Sequence, residues 1–319
     1  MKPICIFNAA LLLCLIRFNG AAADLKPERE LILDNHFHQG FTLWKPAPGQ
    51  HVANGEMKGF DSGTKPVWGL AQWNSKFPLD NPALREIAGD VLICSNAAKT
   101  VTLGKPGTPP ADLSLAANSF VEYGATARKA GDSWVHLLVE QEFNPPAPIE
   151  KLRAAGFHLE ARRLHSRNLH QGDYSPAIHC AHFQIFFTVQ NRNPQSSGFG
   201  DMLWFGIPVY DNRNRIPKEH KAKDFNPKVS GGTEKFIFTP DGSTFTPDSA
   251  HDGQWITLDK DLLPLMHEAL TLAWARGFLP GSRNPADYYF GGMNMGWELP
   301  GTFDVDMQVR NLSLKLFDK

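Results

Sequence analysis

The stretch AHFQIFFTVQ, residues 181–190, alternates apolar and polar side chains along nearly its whole length. Its odd-numbered positions are apolar: Ala181, Phe183, Ile185, Phe187 and Val189. Its even-numbered positions include polar side chains: His182, Gln184, Thr188 and Gln190. A period of two with one apolar face is typical of a half-buried strand. The stretch therefore predicts an antiparallel sheet with one face against a core.

The same alternation recurs on both sides of this stretch. It is found over residues 134–142, 157–162, 201–209, 234–239 and 303–316. In the last of these ranges the apolar positions change from odd to even numbers near Arg310 and Asn311, which predicts a β-bulge there. One segment, from about Asp261 to Gly277, has the 3.6-residue spacing of a helix, with Gly277 as its C-terminal cap.

Many strands and one late helix predict the fold class. We expect an all-β, antiparallel β-sandwich of the concanavalin A-like jelly-roll type, with one helix in the C-terminal half. No repeat and no low-complexity linker divides residues 24–319, so one domain is expected over that range. The proline-rich run Asn144–Pro148 is interpreted as a turn or short linker.

Residues 1–23 have the three parts of a signal peptide. Lys2 supplies the positive start, Ile4–Ile16 the apolar run, and Ala21–Ala23 the small residues before the cleavage point. The apolar run is too short to span a bilayer comfortably, and no later stretch is longer. The sequence therefore predicts a secreted or periplasmic protein without a membrane segment after cleavage.

Composition and missing motifs exclude several other classes. The formal net charge is -1 and the 32 basic residues are spread along the chain, which does not favour a nucleic-acid partner. There is no P-loop, no dinucleotide-binding fingerprint, no Gly-x-Ser-x-Gly elbow and no CxxC pair. We therefore expect no cofactor, no metal site and a monomer. Cys94 and Cys180 follow the leader, and the sequence leaves open whether they pair.

The polar faces of the predicted strands are rich in His, Glu and Gln. One strand carries His158, Glu160 and Arg162, and another carries His182 and Gln184. Such a face could be the floor of a cleft for a hydroxylated ligand or an ordinary solvated surface. Alternation alone does not separate the two interpretations.

Two stretches carry chemistry and a resemblance. They are GDMLWF, residues 200–205, and GWELP, residues 296–300, the second followed by VRNLS at 309–313. Together they resemble glycoside hydrolase family 12, small endoglucanases and xyloglucanases with a jelly-roll sandwich. The resemblance covers about residues 180–317 and implies that Glu298 is the general acid/base. It also places the family's nucleophile on Gly200, so that role does not carry over.

Glu298 stands beside Trp297 in the chain, and we expect a ring next to the carboxyl to raise its pKa and suit it to proton donation. Hydrolysis usually needs a second carboxyl. The candidates from sequence are Asp201, Glu160, Glu140 and Asp211. The candidate substrate-binding residues are Trp297, Trp204, His182, Gln184, His158, Arg162 and Tyr210.

Three functions remain open from the sequence, all with a polysaccharide or oligosaccharide as partner. The first is hydrolysis of a β-linked polysaccharide by Glu298. The second is carbohydrate binding without catalysis, which the glycine at position 200 favours. The third is a polysaccharide lyase, with His182 as base and Arg162, Gln184 and Tyr289 around it.

Overall fold

A computed structural model describes residues 29–61, 63–80, 85–108, 111–126, 128–224 and 232–319. The predicted leader, residues 1–23, lies outside the described residues. Among the residues described, no helix is both long and apolar enough to cross a bilayer.

Seventeen strands, numbered in chain order, form two sheets within the described residues. Sheet A runs in the order β15 (Ile256–Asp261), β10 (Leu152–Asn168), β17 (Phe303–Asp318), β8 (Leu113–Asn118), β7 (Lys99–Gly104), β6 (Val91–Ser95) and β5 (Arg85–Ala88). The two-residue strand β1 (Arg29–Glu30) also pairs with β17.

Sheet B has nine strands, and it is the sheet that carries the candidate site. Its order is β13 (His220–Lys223), β14 (Phe236–Thr239), β12 (Met202–Asp211), β11 (His182–Asn191), β16 (Tyr288–Leu299), β9 (Val135–Pro148), β4 (Trp68–Ala71), β2 (Gly40–Trp44) and β3 (Ala53–Lys58). Neighbouring strands are antiparallel except for the pairs β12–β14 and β2–β4.

In the part of the chain that the structure describes, two α-helices connect strands, α1 (Ser119–Tyr123) and α2 (Leu263–Ala275). Four 3-10 turns complete the described elements: Ile149–Lys151, Gly242–Thr244, Ala250–Asp252 and Pro285–Asp287.

The core lies between the two sheets and confirms the predicted β-sandwich. The apolar face of β11 points inward, and Phe187 on it contacts Phe157 of sheet A edge to face, with ring centroids 6.1 Å apart. Both side chains are fully buried. The period of two therefore identified the correct face of the strand, because each inward side chain leaves water when the sheets pack.

The predicted bulge in the last strand is present. His158 on β10 pairs with Ser313, but Glu160 pairs with Arg310, so β17 has one extra residue between the two pairs. Asn311 takes the left-handed conformation there, with φ 56°. The extra residue restores the phase, which keeps the apolar side chains on both sides of the bulge in the core.

The late helix is also confirmed, two residues shorter at each end than the sequence indicates. Its five predicted apolar residues are all buried: Leu263, Met266, Ala269, Leu270 and Ala273. The chain leaves the helix through Gly277 at φ 82°. Phe278 N–H donates to Ala273 O at 2.9 Å and Gly277 N–H to Trp274 O at 3.2 Å, the bond pair of a Schellman cap.

The run Asn144–Pro148 was interpreted from the sequence as a turn or short linker, and that interpretation is wrong. It continues β9, where Ala147 and Pro148 pair with β16. Prolines fit at this place because the ladder between β9 and β16 is irregular there, with Gly292 opposite Glu142 and Phe290 opposite Ala147.

Candidate functional site

Four side chains form a row across four strands of sheet B. Glu298 on β16 pairs with His136 of β9 on one side and His182 of β11 on the other, and His182 pairs in turn with Asp211 of β12. Residues directly opposite each other in antiparallel strands share a face of the sheet. The ladder therefore brings two carboxyls and two imidazoles together from positions far apart in the chain.

This face of sheet B curls into a cleft. Residues of β9 and of β13 line the same cavity of about 740 Å³, although four strands separate them in the sheet. In a flat sheet those two strands would lie about 24 Å apart. The curl closes the far edge over the row, so that the row forms part of a concave floor.

The walls of the cleft are aromatic at both ends. Trp73 and Trp134 flank the row, whereas Phe186 and Trp204 line the other end. Trp73 and Thr239 also line the cavity, and Nε1 of Trp73 and Oγ1 of Thr239 are buried without a hydrogen-bond partner among the described residues. Flat aromatic rings suit a ligand that presents apolar C–H faces.

Glu298 accepts a hydrogen bond from a residue of the cleft wall and is partly desolvated. Trp134 Nε1–H donates to its Oε2 at 3.2 Å, and Nε2 of His136 lies 3.7 Å from the same oxygen. The side chain is 21% exposed. Burial raises the pKa of the carboxyl, and the negative charge of Asp224 raises it further. The group therefore retains its proton to a higher pH than an ordinary glutamate, as a general acid must.

The aromatic ring next to Glu298 is not the one that sequence proximity indicates. Trp297 is fully buried, contacts Phe183 edge to face at 5.2 Å and donates from Nε1 to Leu115 O at 2.8 Å. It lies in the core because consecutive residues of a strand point to opposite faces. Its assignment to substrate binding is therefore wrong, and Trp134 takes its place beside the carboxyl.

His182, a predicted substrate-binding residue, lies in the row, and both of its ring nitrogens are in contact with neighbouring side chains. Arg213 donates from a terminal guanidinium nitrogen to Nε2 at 2.7 Å. Since Arg can only donate, Nε2 carries the lone pair and Nδ1 the hydrogen. Nδ1 lies 3.1 Å from the side-chain amide of Gln184, which must present its oxygen there. Burial lowers the pKa of His182, which keeps the imidazole neutral.

Asp211 is the second carboxyl of the row, and it forms an ion pair with Arg213. The guanidinium donates to both of its oxygens at 2.9 Å, and Asn214 donates to Oδ2 at 3.3 Å. Burial tends to raise the pKa of Asp211, but these bonds and the charge of Arg213 hold it below its usual value. The carboxylate orients Arg213 and is poorly suited to accept a proton.

A bulge in β12 explains why Asp211 and not Tyr210 faces the cleft. Gln184 pairs with Pro208 and Phe183 with Tyr210, so Val209 is the extra residue. The slip reverses the alternation beyond it. Tyr210 turns inward, 4% exposed, with its ring 5.9 Å from that of Trp297. The structure therefore contradicts the prediction that the Tyr210 side chain is available to substrate.

Asp201 does not reach Glu298. It precedes β12 at the level of Asn191, nine residues along β11 from His182, which corresponds to about 31 Å. Its carboxylate accepts from Lys235 Nζ at 2.5 Å. The prediction that Asp201 is a catalytic partner of Glu298 is therefore wrong. Trp204 does line the cleft, about 20 Å from the row, with Nε1 donating to Thr233 Oγ1 at 2.9 Å.

Three further predicted site residues lie on the other sheet. His158, Glu160 and Arg162 project from the outer face of β10. The residues that alternate with them fill the core: Phe157, Leu159 and Ala161. The three predicted residues are engaged locally, Glu160 with Arg310 and Asn311, Arg162 with Gln308, and His158 with Asp259. Their predicted places in the site are wrong, because alternation reveals the face of a strand and not the sheet to which it belongs.

The structure adds residues that sequence reasoning missed. Asp224 and His220, at the two ends of β13, both act electrostatically on Glu298 across the cleft. Burial and the charge of Arg213 lower the pKa of His220. Neither residue stands in a motif, and no alternation marks a four-residue strand, so no sequence signal was available. His136 and Trp134 were visible in the alternating range 134–142 but had no reason to be singled out.

A second cavity of about 850 Å³ adjoins the cleft on the side of β4, β2 and β3. His51 and Glu140 line both cavities, and His51 Nε2 lies 3.3 Å from Oε2 of Glu140. The side-chain contact of Glu140 and the charge of Glu142 raise the pKa of His51 against the effect of burial. Glu140 pairs with Asn294, four residues along β16 from Glu298, or about 14 Å.

No family model matches the chain, and no curated protein matches it. Solved structures with similar folds include a family 12 xyloglucanase from Bacillus licheniformis, with 9% identity over 79% of this chain and 100% of that one, and a TM-score of 0.41. An endoglucanase from Rhodothermus marinus has 10% identity over 72% and 93% of the two chains, with a TM-score of 0.39.

A family 11 xylanase from Neocallimastix patriciarum has 8% identity over 73% of this chain and 94% of its own, with a TM-score of 0.36. Because each TM-score is below 0.5, these likenesses support no statement about the activity of this chain.

Proposed function

We propose that this protein is a secreted or periplasmic glycoside hydrolase, with Glu298 as the general acid that cleaves a β-linked polysaccharide. The observation that carries the proposal is the Glu298 carboxyl itself, whose pKa burial raises, on the floor of an aromatic-walled cleft. The β linkage follows from the resemblance of the Gly296–Pro300 segment. The leader at residues 1–23 is the reason for proposing export.

In this proposal the Glu298 proton passes to the glycosidic oxygen as the bond from that oxygen to the anomeric carbon breaks. The chain beyond the oxygen leaves as an alcohol, and positive charge develops at the anomeric carbon. A neutral carboxyl gives up its proton readily at this point, because proton donation offsets the charge on the leaving oxygen. Water supplies the new hydroxyl at the anomeric carbon.

Asp224 is the carboxylate we assign as partner of Glu298. The row offers Asp211, but both of its oxygens are bound by Arg213. Asp224 lines the same cavity as Glu298 and acts on it electrostatically, and its Oδ2 accepts from Thr233 N–H and from Thr233 Oγ1–H, each at 2.6 Å. Its role is to take a proton from the attacking water or to attack the anomeric carbon itself, and the configuration of the first product distinguishes the two.

The lyase alternative has little support. A lyase base needs a free lone pair near the substrate, whereas the lone pair of His182 is directed to Arg213. Arg162 lies on the other sheet and Tyr289 pairs at the level of Gln190, far from His182. One observation favours the non-catalytic alternative, since Arg213 binds both oxygens of Asp211. An assay for polysaccharide cleavage separates this alternative from hydrolysis.

The test is release of reducing ends from a panel of neutral and uronic-acid polysaccharides, with ultraviolet absorbance recorded in parallel. We expect new reducing ends without absorbance, and a loss of about 10²–10⁴-fold in Glu298→Gln. Asp224→Asn should lose a comparable factor. Glu160→Gln is the matched control, since its carboxyl lies on the other sheet.

Three outcomes would contradict the proposal. New ends with absorbance would indicate the lyase. Retention on one polysaccharide without any cleavage would indicate a binding protein. Equal activity of wild type and Glu298→Gln would remove Glu298 from the reaction.

A further inference from the structure

His136 is the buried neighbour of Glu298, and its tautomer can be read from its contacts. The residue is 6% exposed, and its Nδ1 lies 3.0 Å from the carbonyl oxygen of Trp134. A carbonyl oxygen only accepts, so Nδ1 carries a hydrogen. Burial lowers the pKa of His136 to about 4, so the ring is neutral above that pH. Its second nitrogen, Nε2, therefore carries a lone pair.

That lone pair faces the acid. Nε2 of His136 lies 3.7 Å from Oε2 of Glu298, beyond hydrogen-bond distance, while Trp134 Nε1–H donates to the same oxygen. An ionised Glu298 would place its negative charge next to the imidazole lone pair, an unfavourable contact. The opposite tautomer would instead donate from Nε2 and stabilise the carboxylate.

We propose that the Trp134 carbonyl fixes His136 in the tautomer that cannot donate to Glu298, and that His136 thereby acts as a positioning residue that keeps the acid protonated. Trp134 contributes twice, through its carbonyl to His136 and through its indole to Oε2 of the carboxyl. The inference rests on the proposed function only in treating Glu298 as a catalytic acid. The protonation of Glu298 itself can be measured without substrate.

Other ionisable groups also act on Glu298 and His136, and the test leaves them unchanged. His182 on β11, His220 and Asp224 at the ends of β13, and Cys180 before β11 act on Glu298. Glu140 on β9 and Asp224 act on His136. Any comparison must therefore change His136 alone.

The direct test is nitrogen NMR of the histidine rings in the wild-type protein. Long-range couplings between ring hydrogens and nitrogens distinguish the two neutral tautomers, and His136→Asn assigns the signal. We expect the hydrogen on Nδ1 between about pH 5 and 8. A hydrogen on Nε2, or a charged ring at pH 7, would overturn the proposal.

Two matched variants test the consequence. In His136→Asn the amide NH2 replaces Nδ1 and nothing replaces Nε2, whereas in His136→Gln the amide NH2 reaches the place of Nε2 and donates to Glu298. Titration of the labelled Glu298 carboxyl by carbon NMR should show a pKa in the Gln variant lower by on the order of one pH unit than in the Asn variant. Circular dichroism checks that both fold. Equal pKa values in the two variants would contradict the inference.

Activity gives a separate outcome. If the protein cleaves a polysaccharide, the alkaline limb of the kcat/KM profile should move to lower pH in His136→Gln and not in His136→Asn. If it cleaves nothing while the NMR results are as expected, the proposed hydrolase function fails and the tautomer assignment stands.

Discussion

Trp297 and Glu298 are neighbours in the chain and lie on opposite sides of sheet B. The Trp297 side chain is fully buried between the sheets, while the Glu298 carboxyl opens onto the cleft. The alternation of a strand imposes this separation. Trp297 is therefore part of the core, whereas the Glu298 carboxyl can meet a ligand.

Trp297→Ala should unfold more easily without losing ligand contacts. Removing a fully buried Trp side chain costs about 3–5 kcal/mol of unfolding free energy. Urea unfolding measures the loss, and polysaccharide binding per folded molecule should be unchanged. Trp204→Ala is the comparison: its side chain is half-buried in the cleft wall, so we expect weaker binding and a smaller loss of stability. The reverse pattern would put Trp297 in the site.

Glu298→Gln should be more stable than wild type at pH 7. The pKa of Glu298 is raised in the folded protein, so the folded state binds the proton more tightly than the unfolded chain. Stability is therefore lost as pH rises above the unfolded pKa of about 4.3 and until the folded pKa is passed. Glutamine mimics the neutral carboxyl and avoids this loss, so the variant should be the more stable protein at pH 7. The gain should vanish near pH 3.

Glu160→Gln provides the control of opposite sign. Burial tends to raise the pKa of Glu160, but the bonds from Asn311 and Arg310 lower it overall. Its carboxylate therefore stabilises the folded state above the unfolded pKa, and this contribution is lost as pH falls through the folded pKa. Glu160→Gln should be less stable than wild type at pH 7. Urea unfolding from pH 3 to 8 measures both variants, and shifts of the same sign would contradict the assignment.

Arg213→Lys should destabilise the protein although it conserves the charge. The guanidinium bonds to both oxygens of Asp211, to His182 and to Pro176 O, and a lysine ammonium cannot reproduce that geometry. We expect a loss of about 1.5–3 kcal/mol at pH 7.

The loss on Arg213→Lys should shrink as the pH falls below the unfolded pKa of Asp211, which is about 3.9. The lowered pKa of Asp211 means that its stabilising contribution is present above the unfolded pKa and is lost as pH falls through the folded pKa. Arg215→Lys, at the exposed pair with Asp252, is the control and should have no measurable effect. An equal loss in both variants would refute the role of Arg213.

Asn311→Val should be less stable than Asn311→Gly. Position 311 has φ 56°, a conformation that glycine adopts freely and that costs a branched residue about 1–2 kcal/mol. Both variants lose the bond from Asn311 to Glu160, so their difference isolates the backbone cost. Thermal and urea unfolding provide the measurement. Equal stability of the two variants would show that the bulge relaxes when Asn311 is replaced.

The patterns that predicted this fold correctly were local. The alternation in residues 181–190, the helix ending at Gly277 and the bulge at Asn311 all depend on neighbours within a few residues. Glu298 was singled out by its segment, and the structure places it in the cleft. Whether it is catalytic, whether the chain is exported and whether residues 24–319 form one domain stay predictions.

The errors over Glu160 and Tyr210 share one physical cause, because they concern which surfaces meet. Glu160 and His182 have equivalent local patterns, yet hydrogen bonding in the ladders assigns them to different sheets. The bulge at Val209 reverses the faces of Tyr210 and Asp211, and nothing nearby in the sequence marks it.

The sequence by itself determined the inward faces of strands such as β11 and the place of the helix, because side-chain periodicity and turn chemistry act over a few residues. Only the tertiary structure decided the partners of Glu298. His136, His182, Asp211 and Asp224 come from different strands or strand ends, and the pairing order and curl of sheet B bring them to one cleft. That order is set by burial and hydrogen bonding over the whole chain, which no short segment contains.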